Sequence, residues 1–200
     1  MTDRALLPRT VETDRLLIRC WEPDDVDALA ASVTRSLEHL RPWMPWIALE
    51  PLERSARLDL IDEWESAFRS GGSAIYGIFL KSTAATVERP SPTVIGSTGL
   101  HPRIGPGGLE IGYWIDVDHL RRGYATEASA ALTQAAFDIT EAGIATIDRV
   151  EIHTDQSNAA SAGVPNKLGY ALAEELSLEP ESPGEAGIEL VWRMTRQRWA

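Results

Sequence analysis

The sequence predicts a mixed α/β fold whose sheet holds at least one parallel βαβ unit. Three observations predict it. The stretch Leu109 to Val117 alternates with period two: Leu109, Ile111, Tyr113, Ile115 and Val117 share one face, and Glu110, Gly112, Trp114 and Asp116 share the other. A helical stretch follows from about Thr126 to Ala142, with Ala128, Ala131, Leu132, Ala135 and Ile139 in one stripe and Gly143 as its stop. Val150 to Thr154 then reads as a second short strand. Two strands joined through a helix form a parallel crossover.

The other elements follow in chain order. Leu16 to Trp21 is short, apolar and alternating, a first strand. Pro23-Asp24-Asp25 starts a helix expected from Val26 to Thr34. The segment from Ser36 to Trp46 holds two prolines and two tryptophans and reads as a loop or short helical turns. Its tryptophans either line a ligand site or anchor the loop to the core. Arg54 to Arg69 has helical spacing at Leu58, Ile61, Trp64 and Phe68, and Gly71-Gly72 ends it. Ile75 to Leu80 and Thr93 to Leu100 read as strands with a long polar loop between them. Asn158 is an N-cap for a segment that Pro165 interrupts or limits to its first turns and Gly169 closes. Ile188 to Met194 gives a final strand.

Composition sets the class. With 200 residues, 44% of them hydrophobic, the chain suits one globular domain over 1–200. No apolar run approaches the roughly 18 to 20 residues of a transmembrane helix, and the N-terminus lacks a signal-peptide layout. Cys20 is the single cysteine, which excludes an internal disulfide and any multi-cysteine zinc site. His39, His101, His119 and His153 have no ligand-like spacing, so no metal is expected. A cytoplasmic setting is the simplest reading. Thirty acidic against nineteen basic residues give a net charge of −11. That balance argues against nucleic acid or anionic membrane as partner and is compatible with a cationic one.

One segment carries chemistry by construction. Arg121-Arg122-Gly123-Tyr124-Ala125-Thr126 lies between a strand and a helix. A helix N-terminus presents unpaired N–H groups and a positive dipole end. Gly123 and Ala125 let an anion approach the backbone, and the two arginines add charge, so the segment is a pyrophosphate cradle. It is neither a Walker A loop, since no Gly-Lys-Ser/Thr follows, nor a dinucleotide fingerprint, since Gly105-Pro-Gly107 precedes a strand and has Glu110 where the third glycine would stand.

Three separated motifs carry a resemblance: Glu110-Ile-Gly-Tyr-Trp-Ile-Asp116, then Arg121-Arg-Gly-Tyr-Ala-Thr-Glu-Ala128, then Asn158-Ala-Ala-Ser161 with Asn166-Lys-Leu-Gly-Tyr170. Together they resemble the GNAT N-acetyltransferases, most closely the RimJ/RimL-like ribosomal-protein branch. Glu12 to Arg19 and His39 to Trp46 fit that branch too, so the resemblance covers nearly the whole chain. It implies a GNAT fold, a mixed central β-sheet flanked by helices, in which two parallel strands splay and hold coenzyme A. It implies acetyl transfer from acetyl-CoA to a primary amine of a peptide or protein, or alternatively of a small molecule; a binding module without catalysis is the third reading. Backbone groups of Ile115 and Val117 would bond the pantetheine amides. Arg122, Gly123, Tyr124, Ala125 and Thr126 would hold the pyrophosphate, and Asn158 would reach the pantetheine arm. Leu120 departs from the family, which has Gln or Arg there; either neighbouring Arg121 compensates or the backbone suffices. The acceptor end would be built from His39 to Trp46 (with His39, Trp43 and Trp46), Trp114, the Thr83–Pro92 loop and the acidic Glu174–Gly187 segment.

Proton transfer needs a base for the ammonium and an acid for the thiolate. Glu110 is the first candidate base, matching the family's Glu before Ile-Gly-Tyr-Trp, and against it stands a plain solvated strand end. His153, on one strand face with Glu151, is the second. Many relatives place an acidic Tyr seven residues after the motif Asn, where this chain has Pro165. Ser161 fits the branch's Asn-x-x-Ser and would return the proton, unless it only satisfies its own helix start. A backbone N–H of the Leu109–Val117 strand would meet the oxyanion. Cys20 shows no base partner, which leaves no covalent route. Whether the protein is a monomer or a homodimer is open.

Overall fold

A computed structural model describes residues 6–81 and 93–200. The strands are β1 (Thr10–Glu12), β2 (Leu16–Cys20), β3 (Ala74–Leu80), β4 (Thr93–His101), β5 (Gly108–Ile115), β6 (Arg149–Asp155), β7 (Ala171–Ser177) and β8 (Ile188–Thr195). The helices are α1 (Val26–Leu40), α2 (Arg54–Arg69), α3 (Tyr124–Glu141), α4 (Ala159–Lys167) and the short α5 (Arg196–Trp199). The strands form one sheet in the order β1-β2-β3-β4-β5-β6-β8-β7. Every pair is antiparallel except β5 and β6, which α3 connects as a parallel crossover.

Each face of the sheet has its own core. Val26, Leu29, Val33 and Ile61 of α1 and α2 pack with Trp21, Phe79 and Val94 on one side. On the other, Ala128, Leu132, Ala136 and Phe137 of α3 pack over Ile18, Ile78, Ile111 and Ile152. The sheet is therefore buried from both sides, as an α/β arrangement requires. Small residues on α3 let the helix sit close to the strands, though its buried stripe runs through Ala136 and Phe137 and leaves Ala135 only partly covered.

Several boundaries differ from the sequence expectation, each for a physical reason. α1 runs on to Leu40 instead of stopping at Thr34. Val33, Ser36 and Leu40 continue its buried stripe, and Pro42 then prevents further helix. Ser36 to Trp46 is thus part helix and part turn, followed by a 3-10 turn at Pro45–Leu49. α3 starts at Tyr124, two residues early, because Gly123 takes φ 80° and turns the chain straight into the helix. β5 ends at Ile115; Val117 lies in a 3-10 turn. β7 was absent from the sequence reading. It is a sheet edge whose residues are almost all exposed, so it shows no apolar alternation.

Pro165 does not stop α4, which continues to Lys167. A proline cannot donate to the carbonyl four residues back. Here that carbonyl belongs to Ser161, and the Tyr113 hydroxyl donates to it at 3.0 Å. The helix survives its proline because a strand side chain satisfies the freed acceptor.

Candidate active site

The site lies where β5 and β6 part. The two strands pair only at Gly108–Glu110 with Arg149–Glu151. From Ile111 to Ile115, β5 keeps its bonds to β4 and has no partner on the β6 side. Asp116 pins the far end of β5. Its fully buried carboxylate accepts from Ser32 Oγ at 2.6 Å, Arg35 Nη2 at 2.7 Å and Asp118 N at 3.0 Å, tying the strand to α1. Burial pushes this carboxyl up, but those hydrogen bonds outweigh it and hold Asp116 below the usual carboxylate range.

The cradle follows. Arg121 has φ 57° and Gly123 φ 80°, a tight left-handed turn from which α3 starts at Tyr124. Glu127 N returns to Gly123 O, so the N–H groups of Tyr124, Ala125 and Thr126 make up the open first turn. A Cβ on Gly123 would come within 3.6 Å of Arg15 Nη2. Arg15, unmarked in the sequence, lies beside this turn. Its guanidinium lies 4.6 Å from the Tyr124 ring centre, bonds Arg122 O at 3.1 Å and pairs with Glu127. Nothing in the local pattern around residue 15 marks this; only the fold brings β2 to the start of α3. Val117, expected at the pantetheine, has its N–H donated to Ser36 Oγ at 3.1 Å, so it is not a free donor. Asn158 Oδ1 accepts from Ser161 N at 3.1 Å, which makes it the N-cap of α4 while it also faces the cavity.

That cavity has a volume of about 1170 Å³ and is lined by residues of β4, β5, β6, α2 and the 3-10 turn at Pro45–Leu49. Glu110, His153, Ser161, Trp43, Trp46 and Trp114 all border it, whereas His39 does not. Trp46 and Trp114 stand 6.2 Å apart between ring centres and tilted by 50°. The Thr83–Pro92 loop lies outside the described residues. Leu178, Glu179, Glu181, Glu185 and Gly187 also line the cavity, and their segment bonds to the α1–α2 connection through Gly184 N and Pro42 O at 2.9 Å. Nine carboxylates and two arginines border the cavity. Both arginines are paired, Arg57 with Glu50 and Arg103 with Glu110.

Around the candidate base the charges interlock. Glu110 is 7% exposed and accepts from both Arg103 Nε, at 2.8 Å, and Arg103 Nη2. Burial pushes its pKa up, but the guanidinium more than offsets this and Glu110 lies below its ordinary value. His101, its neighbour on β4, is pushed down to about 4, by burial first and by the Arg103 charge second. His153 stands between two carboxylates, with Nε2 3.2 Å from Glu151 and Nδ1 3.2 Å from Glu189. Glu151 is held below its usual range: burial raises it, and the Arg193 and His153 bonds lower it further than that. On the acid side, the Tyr113 hydroxyl lies 3.1 Å from Ser161 Oγ. Burial pushes Tyr113 up to about 12, so it stays protonated. In the sequence Tyr113 is marked only as one of five residues on one face of its strand.

The family model for the acetyltransferase (GNAT) domain matches residues 15–171. The chain belongs to the GNAT acetyltransferase family. As a GNAT acetyltransferase it takes acetyl-CoA as acyl donor, and the open strand edge, the cradle and the Gly123 turn fit that cofactor. Solved structures share the fold at low identity. Mycobacterium smegmatis RimJ, in complex with a coenzyme A disulfide, has a TM-score of 0.75 at 18% identity, covering 95% of this chain and 88% of that one. RimL, the ribosomal L7/L12 α-N-protein acetyltransferase in complex with coenzyme A, has a TM-score of 0.75 at 17% identity, covering 94% and 99%. The microcin C7 self-immunity acetyltransferase MccE, in complex with acetyl-CoA and AMP, has 0.78 at 17%, covering 96% and 99%. No curated protein matches the chain by sequence. Among the described residues, no helix is long and apolar enough to cross a membrane and no group of side chains is placed to hold a metal ion.

Proposed function

We propose that this GNAT acetyltransferase acetylates the α-amine of a peptide or protein whose first residues are basic. The charge of the cavity carries the reading. The cavity, roughly 1170 Å³, has room for the acyl end of the cofactor beside Asn158 and Ser161 and for an acceptor next to that end. Asp59, Glu63, Glu179 and Glu181 border it and have no ion-pair partner among the described residues. A cleft lined by one sign of charge concentrates the opposite sign, and the tryptophan walls suit cations as well. The likeness to RimL, a ribosomal L7/L12 α-N-protein acetyltransferase, supports a protein acceptor. The cytoplasm, as a reducing compartment, suits a chain with one buried free cysteine.

In this reading Arg121, Arg122 and the first turn of α3 hold the pyrophosphate, and the free edge of β5 at Ile115 meets the pantetheine arm beside Asn158. The cofactor supplies an activated acetyl thioester. Glu110 takes a proton from the acceptor ammonium, directly or through a water, with His153 as the second candidate. Ser161 Oγ would hand its proton to the departing sulfur and take one back, through water, from the acetylated nitrogen, so the hydroxyl is restored, and the Trp43, Trp46 and Trp114 rings shield the reacting amine from bulk water.

The test is thiol release from acetyl-CoA with hexapeptides that start Ser-Lys-Lys, Ser-Ala-Ala or Ser-Glu-Glu, with spermidine as a small polycation. Glu110→Gln and Ser161→Ala run alongside. Turnover fastest on the basic peptide, and lost in both variants while acetyl-CoA still binds, is the expected result. Turnover of spermidine alone would overturn the peptide reading and keep the cationic one. Equal rates on all three peptides would overturn the charge argument.

A further inference from the structure

The base of the proposed reaction is covered by a residue that no part of that scheme uses. Arg103 sits in the turn between β4 and β5, with a side chain 62% exposed, and reaches back to place two nitrogens on the two oxygens of Glu110. The pairing is lopsided: one partner lies at the surface and the other is buried in the sheet.

We propose that Arg103 is the positioning residue for Glu110: its planar fork keeps the buried carboxylate ionised and fixes which lone pairs face the cavity. The inference rests on the reading of Glu110 as the base.

The physical argument starts from burial. A carboxyl removed from water favours its neutral form unless a charge stands beside it. A neutral carboxyl takes no proton, so the charge beside Glu110 sets how far down in pH it still serves as a base. The other titratable neighbours do not replace Arg103. His101 on β4 is neutral in its buried place. His153 on β6 is shared between Glu151 and Glu189, and those two carboxylates on β6 and β8 bring negative charge of their own. Arg193 and Arg149 are both engaged with Glu151. Arg103 therefore supplies the one full positive charge in direct contact with Glu110 among the described residues. Geometry adds to charge. A bidentate guanidinium fixes the carboxylate plane in a way that a lysine ammonium, a point charge on a flexible stem, cannot.

The test uses Arg103→Met and Arg103→Lys in the full chain. Glutamate side chains are labelled with ¹³C at the carboxyl, and the Glu110 signal is assigned by its loss in Glu110→Gln. In Arg103→Met the Glu110 titration is expected to rise by at least about one pH unit, a tenfold change in ionisation. The acid limb of kcat/KM for the basic peptide is expected to rise with it. Activity of the variant then recovers toward wild type as pH is raised, which a merely structural role would not produce. Arg103→Lys keeps the charge without the fork. It is expected to leave the titration near wild type while lowering kcat more than it changes KM. A Glu110 titration that stays put in Arg103→Met would overturn the proposal. If Glu110 moves while the acid limb does not, then Glu110 is not the group the reaction reads, and the base reading falls together with the proposal. A wild-type rate in Glu110→Gln would overturn that reading by itself, whatever Arg103 does. Arg103 is largely in solvent, so Arg103→Met is expected to fold; thermal melting of both variants checks this, and a lysine variant that folds and moves the titration as far as methionine does would show that charge is not what Arg103 provides.

Discussion

Tyr113 completes the helix that Pro165 opens. The proline removes the N–H that would have bonded Ser161 O, and the Tyr113 hydroxyl donates to that carbonyl at 3.0 Å from the neighbouring strand. The same hydroxyl touches Ser161 Oγ, so the repair of the helix also fixes the candidate acid. Tyr113→Phe is expected to cost about 1–3 kcal/mol of stability, the penalty for a buried acceptor left without a donor. In a Pro165→Ala background the new amide can reach Ser161 O, and the cost of Tyr113→Phe should shrink. Urea denaturation of the four proteins measures the coupling. Equal costs in both backgrounds would show that the tyrosine and the proline are unrelated.

Gly184 lets segment 178–187 lie against the α1–α2 connection. A Cβ there would sit 2.6 Å from Pro42 Cβ and 2.7 Å from Pro42 O. Gly184→Val is expected to break the backbone bond to Pro42 with little loss of global stability, below about 1 kcal/mol for a surface strap. The readouts are faster proteolysis within 178–187 and a higher KM for the peptide, with unchanged affinity for acetyl-CoA.

Charge at the cavity mouth is separable from chemistry. Glu179 and Glu181 are exposed and border the cavity. Replacing both by lysine is expected to raise KM for the basic peptide roughly tenfold and to leave kcat in place. The difference between wild type and variant should fade as salt rises, because the Debye length falls to about 3 Å at 1 M. A KM that ignores both salt and substitution would remove the electrostatic account of acceptor choice.

His101 makes folding pH-dependent. Its folded pKa of about 4 lies below the unfolded value near 6.5. Above pH 6.5 neither state is charged and the fold has its full stability. As pH falls below 6.5 the unfolded chain takes up a proton that the folded chain refuses until about 4. The contribution lost by pH 5 is about 2 kcal/mol. His101→Gln should therefore lose less stability than wild type between pH 7.5 and 5, as followed by urea midpoints at the two pH values.

The sequence reading succeeded where local chemistry is distinctive. The alternation of Leu109 to Val117 and the alanine-rich α3 gave the crossover, and the separated motifs gave the family that the domain model over residues 15–171 shows. It failed where the third dimension decides. Arg15 lies beside the turn before α3, Arg103 and Glu189 meet the site from a turn and β8, and no spacing along the chain links them to these places. β7 escaped because an edge strand exposed on both faces has no pattern to read. Pro165 looked like a helix terminator because the residue that rescues the helix lies 52 positions away by its numbering.

The parting of β5 and β6 has a thermodynamic consequence. Three residue pairs form the hydrogen-bonded seam between two half-sheets, β1 to β5 and β6-β8-β7. A ligand lying in the wedge touches both halves, and it binds the folded chain only. Its occupancy then adds to the unfolding free energy by mass action, about 2.7 kcal/mol at a hundredfold excess over Kd. The supply of acetyl-CoA then sets part of the stability of the folded enzyme.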